Sequence, residues 1–217
     1  MFDISYIVNQ VIPMVIPLLL GVSLHEVAHG YTAYRFGDPT AKNAGRLSMN
    51  PVRHADPFGT VLLPLLLILM KSPFLFGWAK PVPFNPSYFQ DPRKGIFWVS
   101  FAGPAANFGL ALAFYLLLLL LMIMQPVFGD NSTFLQPLML VSYYGIFINI
   151  ILGIFNLFPI PPLDGSKVLA TFLPGHMAGQ YMRLEKYGFI IIIILLVLGV
   201  FQAVFGYAIN FVNSLLF

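Results

Sequence analysis

The five residues His25-Glu26-Val27-Ala28-His29 lie inside an apolar run that extends from about Ile7 to Tyr34, and this pairing limits the chain more than any other feature. A run of that length crosses a bilayer as a helix. In hydrocarbon, three titratable side chains on one helix persist only where they face a bundle interior or a wet cavity. Other helices must therefore pack around this one. On a helix the i, i+4 spacing stacks His25 and His29 on one face, so both imidazoles can reach the same metal ion, a zinc half-site. Glu26 is turned about 100° from His25, close enough to act as general base on a water at that metal. Without a metal, Glu26 would be a buried acid in need of a cation, and no Lys or Arg precedes Arg35.

The rest of the chain agrees with a membrane setting. Of its 217 residues 59% are hydrophobic and 9% charged, and the mean hydropathy is +0.84, far from the usual soluble range. The length suits a single membrane-embedded domain over residues 1–217, with no polar stretch long enough for a separate soluble one. The N-terminus lacks a positive region and a small-residue cleavage site, so the first apolar run reads as a retained span. There is no cysteine, which removes disulfides and thiolate ligands. The net charge of +3 resides in loops, where it reports orientation and not a nucleic-acid partner.

Further spans are expected over 95–124, 135–158 and 187–211, giving about four crossings in an all-α polytopic membrane protein. Residues 58–70 are too short for a secure crossing and carry basic flanks on both sides, which favours a re-entrant or membrane-associated segment. Prolines in Gly77 to Asn85 exclude helix and predict a small extended or β region near 77–86. Every Lys and Arg falls in 35–58, 71–94 or 166–186. These stretches are therefore cytoplasmic and the N-terminus outside, by the positive-inside rule.

That topology brings a third ligand into range. His25 and His29 sit about 9 to 15 Å below the cytoplasmic boundary, and Asp164 ends a span running in the same direction. Two histidines and a carboxylate leave a fourth position open for water. The broken backbone of Pro159 to Gly165 suits a cavity lining. The competing reading makes Asp164-Gly165 a turn, or Asp164 and Ser166 helix caps. Asn107, the only strongly polar residue of its span before Gln125, is either a packing asparagine bonding across helices or a donor to a substrate carbonyl. Gly103-Pro104 reads as a site of close helix approach. His54, Asp56 and His176 read as loop side chains, and Asn156 as a tether for the broken segment.

Together, His25 to His29, Gly103-Pro104-Ala105-Ala106-Asn107 and Asn156 to Gly165 resemble the HExxH, GPxxN and NxxPxxxxDG signatures of the site-2 protease family of intramembrane zinc metalloproteases. The resemblance spans roughly residues 20 to 170 and matches compact prokaryotic members, since nothing here could form a PDZ or CBS domain. It implies one Zn2+ per chain held by His25, His29 and Asp164, with Glu26 as catalytic base and Asn107 near the substrate carbonyl. It also implies hydrolysis of peptide bonds in or near transmembrane segments of membrane-protein substrates, in a prokaryotic plasma membrane, with the active-site side facing the cytoplasm. In that setting the Gly77 to Asn85 segment is expected to pair with an unwound substrate strand. Two other classes stay in view, a divalent-cation transporter and a non-catalytic membrane scaffold. A transporter would want a second set of polar ligands along a through-path, and the outer halves of the spans are almost purely apolar.

Overall fold

The structure is a computed structural model that describes residues 11–62, 66, 79–128 and 134–216. Helix α1 spans Ile12–Arg35. Its buried face includes Pro13, Pro17, Gly21, His25, His29 and Ala33, a ridge repeating every four residues. Apart from the two histidines these side chains are small, which lets neighbouring backbones come close. The opposite face carries Ile12, Ile16, Leu19 and Leu20 outward. Pro17 is accommodated inside the helix, where it cannot donate the i−4 hydrogen bond.

Helix α2 covers Pro92–Phe128, 37 residues, about 55 Å at the usual rise. Helix α3 follows at Leu135–Leu157. Both pack on α1 and on each other. Glycines make the contact possible, since a Cβ at Gly145 would strike the Phe114 ring and one at Gly153 the Phe108 ring. Phe114, Leu118, Ile146 and Val212 form one apolar cluster of the bundle. Outside, Leu112, Leu116, Leu120 and Ile123 form an exposed stripe along α2, while Asn107, Ser142 and Asn149 are fully buried. Apolar residues outside and hydrogen-bonded polar ones inside are the arrangement lipid requires.

After α3 the chain breaks at Phe158 to Leu163 and resumes as α4, Asp164–Phe172. Gly165 packs so closely under the Leu157 and Phe158 carbonyls that no side chain would fit. Tyr181, on α5 (Gly175–Met182), donates its hydroxyl to the Pro159 carbonyl at 2.7 Å. The tether expected of Asn156 is not made across the break: its amide donates to the Leu152 carbonyl of its own helix. The last span is also divided. Helices α6 (Glu185–Val197) and α7 (Val200–Leu216) meet at a 64° bend, where Gly199 adopts φ +78°, the left-handed conformation that ends helices and that glycine adopts without strain.

Among the described residues, three helices are long and apolar enough to cross a membrane, or four if the bent pair counts as one span. The protein is an all-α integral membrane protein, as its composition implied. Among the described residues there is no strand: the extended region reduces to an antiparallel bridge between Ala55 and Ala79, followed by non-helical backbone to Asn85. Gly77 and Trp78 lie outside the described residues, as does most of 58–70, of which Pro57–Leu62 form a wide helical turn. Buried Asp38 ties the loops together, its Oδ2 accepting from Asn85 N at 2.6 Å and its Oδ1 from Thr40 N at 2.9 Å.

Candidate metal centre

His25 and His29 point from α1 toward α2 and the start of α4. Asp164 Oδ2 stands 3.1 Å from His25 Nε2 and 3.0 Å from His29 Nε2, and the two Nε2 atoms are 2.9 Å apart. All three residues are buried, and they form a group able to hold a metal ion. Gly103 makes room for them, since a Cβ there would collide with both imidazoles. The close approach expected of Gly103-Pro104 is thus against the histidines themselves.

The far sides of the rings decide what the near sides offer. His29 Nδ1 lies 2.6 Å from the Val99 carbonyl, which can only accept, so Nδ1 carries a proton and the neutral ring is left with its lone pair on Nε2. His25 Nδ1 lies 2.7 Å from Asn107 Oδ1, which imposes the same tautomer. Two lone pairs and a carboxylate oxygen within 3.1 Å would repel one another without a cation between them. Ligands of a tetrahedral zinc at the usual bond lengths stand about 3.3 Å apart, close to these separations. The donor set therefore fits a divalent metal. The second Asp164 oxygen, Oδ1, pairs with Lys167 Nζ at 3.2 Å.

The three ligands line a cavity of about 580 Å3 shared with Glu26, Asn156 and Lys167. Glu26 is partly buried and accepts the Val82 backbone N–H on Oε2 at 2.8 Å. Asn107 borders the same cavity beside His25 yet has no exposed surface, and both of its amide protons are engaged, one by the Gly21 carbonyl at 3.2 Å and one by Asn149 Oδ1 at 3.0 Å. Donation to a substrate would require breaking one of these bonds.

The remaining candidates stay outside the cluster. His54 is buried in its loop with Nε2 2.7 Å from the Ser48 carbonyl. Asp56 caps the following turn through the backbone N–H groups of Phe58 and Gly59. His176 is exposed on α5. Asn149, Lys167 and the Val82 N–H were not anticipated from sequence. Asn149 could have been, because a strongly polar residue in the middle of the apolar 135–158 span carries the same signal as Asn107; a backbone N–H carries none.

Comparison with known proteins agrees with this geometry. The family model described as Peptidase family M50 matches residues 120–200. The chain is 41% identical over 187 residues to YwhC of Bacillus subtilis, covering 85% of this chain and 80% of the relative. It is 33% identical over 183 residues to Rip2 of Mycolicibacterium smegmatis, covering 82% and 64%. A Methanocaldococcus jannaschii protein is 38% identical over 171 residues, covering 77% and 76%. All three are provisionally named zinc metalloproteases. No solved structure matches the chain significantly.

Proposed function

The chain belongs to peptidase family M50, the site-2 protease family, and from that premise we propose that it is an intramembrane protease cutting peptide bonds in or near transmembrane segments of membrane proteins. Its cofactor is zinc. The observation that carries the reading is the meeting of His25, His29 and Asp164, 139 residues apart at the extremes, in a cavity that also holds Glu26.

When bound by these three residues, zinc supplies Lewis acidity that polarises a carbonyl and lowers the pKa of water. The protein's own part is proton handling and positioning. Glu26 takes the proton from the attacking water and returns it to the leaving amine, so the peptide C–N bond breaks with no net proton consumed. The Val82 N–H holds Oε2 in place. Asn107 belongs to the site through His25, whose Nδ1 proton it accepts.

A substrate helix has to unwind first, since its carbonyls are otherwise engaged by amides four residues on. Strand pairing along 79–85 is narrowly limited. The N–H groups of Lys80, Val82 and Asn85 already bond His54 O, Glu26 and Asp38, and Pro81 and Pro83 have none. An unwound substrate would meet mainly carbonyl acceptors there. In this reading the N-terminus is outside, the basic loops and the active-site side face the cytoplasm, and the membrane is a prokaryotic plasma membrane.

The test is a single-span reporter reconstituted in proteoliposomes. Wild-type protein is expected to cut it, and Glu26→Gln to retain one zinc per chain while cutting nothing. Unchanged cleavage by Glu26→Gln would reject the assignment, and zinc flux across the vesicle surviving that substitution would point to transport.

A further inference from the structure

A chain of hydrogen bonds runs from the middle of α3 to the ring of His25. The Gly145 carbonyl accepts from Asn149 Nδ2 at 2.9 Å. Asn149 Oδ1 accepts from Asn107 Nδ2 at 3.0 Å, and the same Nδ2 gives its other proton to the Gly21 carbonyl at 3.2 Å. Asn107 Oδ1 then faces His25 Nδ1 at 2.7 Å. Asn107 and Asn149 have no exposed surface.

Only one polarity satisfies this chain. A backbone carbonyl can only accept, so the Asn149 group facing Gly145 is the NH2 and the group facing Asn107 is the oxygen. Between that oxygen and the Gly21 carbonyl, Asn107 must place its own NH2. Its remaining oxygen can only accept, so His25 Nδ1 must be N–H, and in the neutral ring that can bind a metal Nε2 presents a lone pair toward His29 and Asp164. Two backbone carbonyls, at Gly21 and Gly145, thus dictate the metal-binding tautomer of His25. Space has been made for the relay: a Cβ at Gly21 would run into Asn149 Oδ1.

We infer that Asn149 is a positioning residue of the metal centre, acting through Asn107 to fix the tautomer and orientation of His25. His29 reaches the same state in one step, through the Val99 carbonyl. The relay also keeps the Asn107 amide protons on the scaffold, away from a substrate oxygen. This inference rests on the zinc-site reading but not on proteolysis. A plainer role is interhelical packing, which would affect stability without touching the His25 proton.

The experiment uses the full chain in detergent micelles, with 15N in the histidine rings, observed with zinc removed and with zinc restored. Zinc affinity is measured by competition with a chelator. In wild-type protein His25 Nδ1 is expected to carry a proton in both states. Asn149→Asp should behave the same, because its neutral acid form donates O–H to the Gly145 carbonyl and accepts from Asn107. Asn149→Leu keeps the shape and loses the acceptor, so His25 Nδ1 should lose part of its proton signal in the metal-free protein while His29 keeps its own. Zinc affinity of this variant should fall about tenfold, as for other partners of metal ligands.

A bare His25 Nδ1 in metal-free wild-type protein would overturn the inference, and this holds even if Asn149→Leu fails to fold. So would an Asn149→Leu protein with the wild-type His25 signal and zinc affinity within about threefold of wild type. Protein that passes both measurements yet cleaves no reporter would count against the protease reading alone.

Discussion

Val82 donates its backbone N–H to Glu26 Oε2 at 2.8 Å, joining the candidate general base to an extended segment 56 residues further along the chain. In the proposed mechanism the bond ties that segment to proton transfer independently of any pairing with substrate. Val82→Pro, placed between Pro81 and Pro83 where the backbone is already non-helical, removes the donor while keeping an apolar side chain at this buried position. We expect zinc content unchanged, kcat on a reporter reduced by about tenfold, and KM little affected. Steady-state kinetics in proteoliposomes checks this.

Asp164 is the candidate ligand with partners on both oxygens, the histidine pair on Oδ2 and Lys167 on Oδ1. Asp164→Ala should reduce bound zinc from one per chain to near zero, measured by metal analysis after gel filtration. Lys167→Met should weaken zinc binding by less than about tenfold, since the Lys167 side chain is one third exposed and such pairs contribute modestly.

Gly103 separates α2 from both imidazoles, and a Cβ there has no free space. Gly103→Ala is expected to lower stability by about 1–3 kcal/mol, as overpacking does, and to cost zinc affinity in parallel. Gly109→Ala, six residues on in the same helix and facing nothing within 4 Å, should leave both unchanged. Thermal unfolding with and without zinc separates the two effects.

Asp38 is fully buried and holds the Thr40 turn and the Asn85 end of the extended segment. Asp38→Ala strands two backbone N–H groups, which costs about 1–3 kcal/mol for each one left buried without a partner. We expect a lower Tm and faster proteolytic nicking of the 79–85 segment than in wild-type protein, read by limited proteolysis.

The membrane setting and the ligand set were legible in the chain because each rests on a local or compositional signal. Apolar runs longer than the bilayer needs can bury themselves in few other ways, and two histidines four apart share a helix face whatever surrounds them. Asp164 was expected beside the histidines from the span directions that the basic loops suggest, and it does lie within 3.1 Å of both rings. The 64° bend near Gly199 was hidden because a single glycine in an apolar run reads equally as a packing contact. The extended region shrank to one bridge among the described residues because prolines exclude helix without specifying a partner.

Which residues are candidates for the chemistry was thus determined by residue type and spacing along the sequence itself. How they are held was decided only by tertiary packing. Whether Asn107 faces a substrate or His25 depends on which acceptors surround its amide, and those acceptors, the Gly21 carbonyl and Asn149, come from two other helices. A hydrogen-bonding group's role is set by the polarity of its neighbours, and neighbours distant in sequence exist only once the helices have packed.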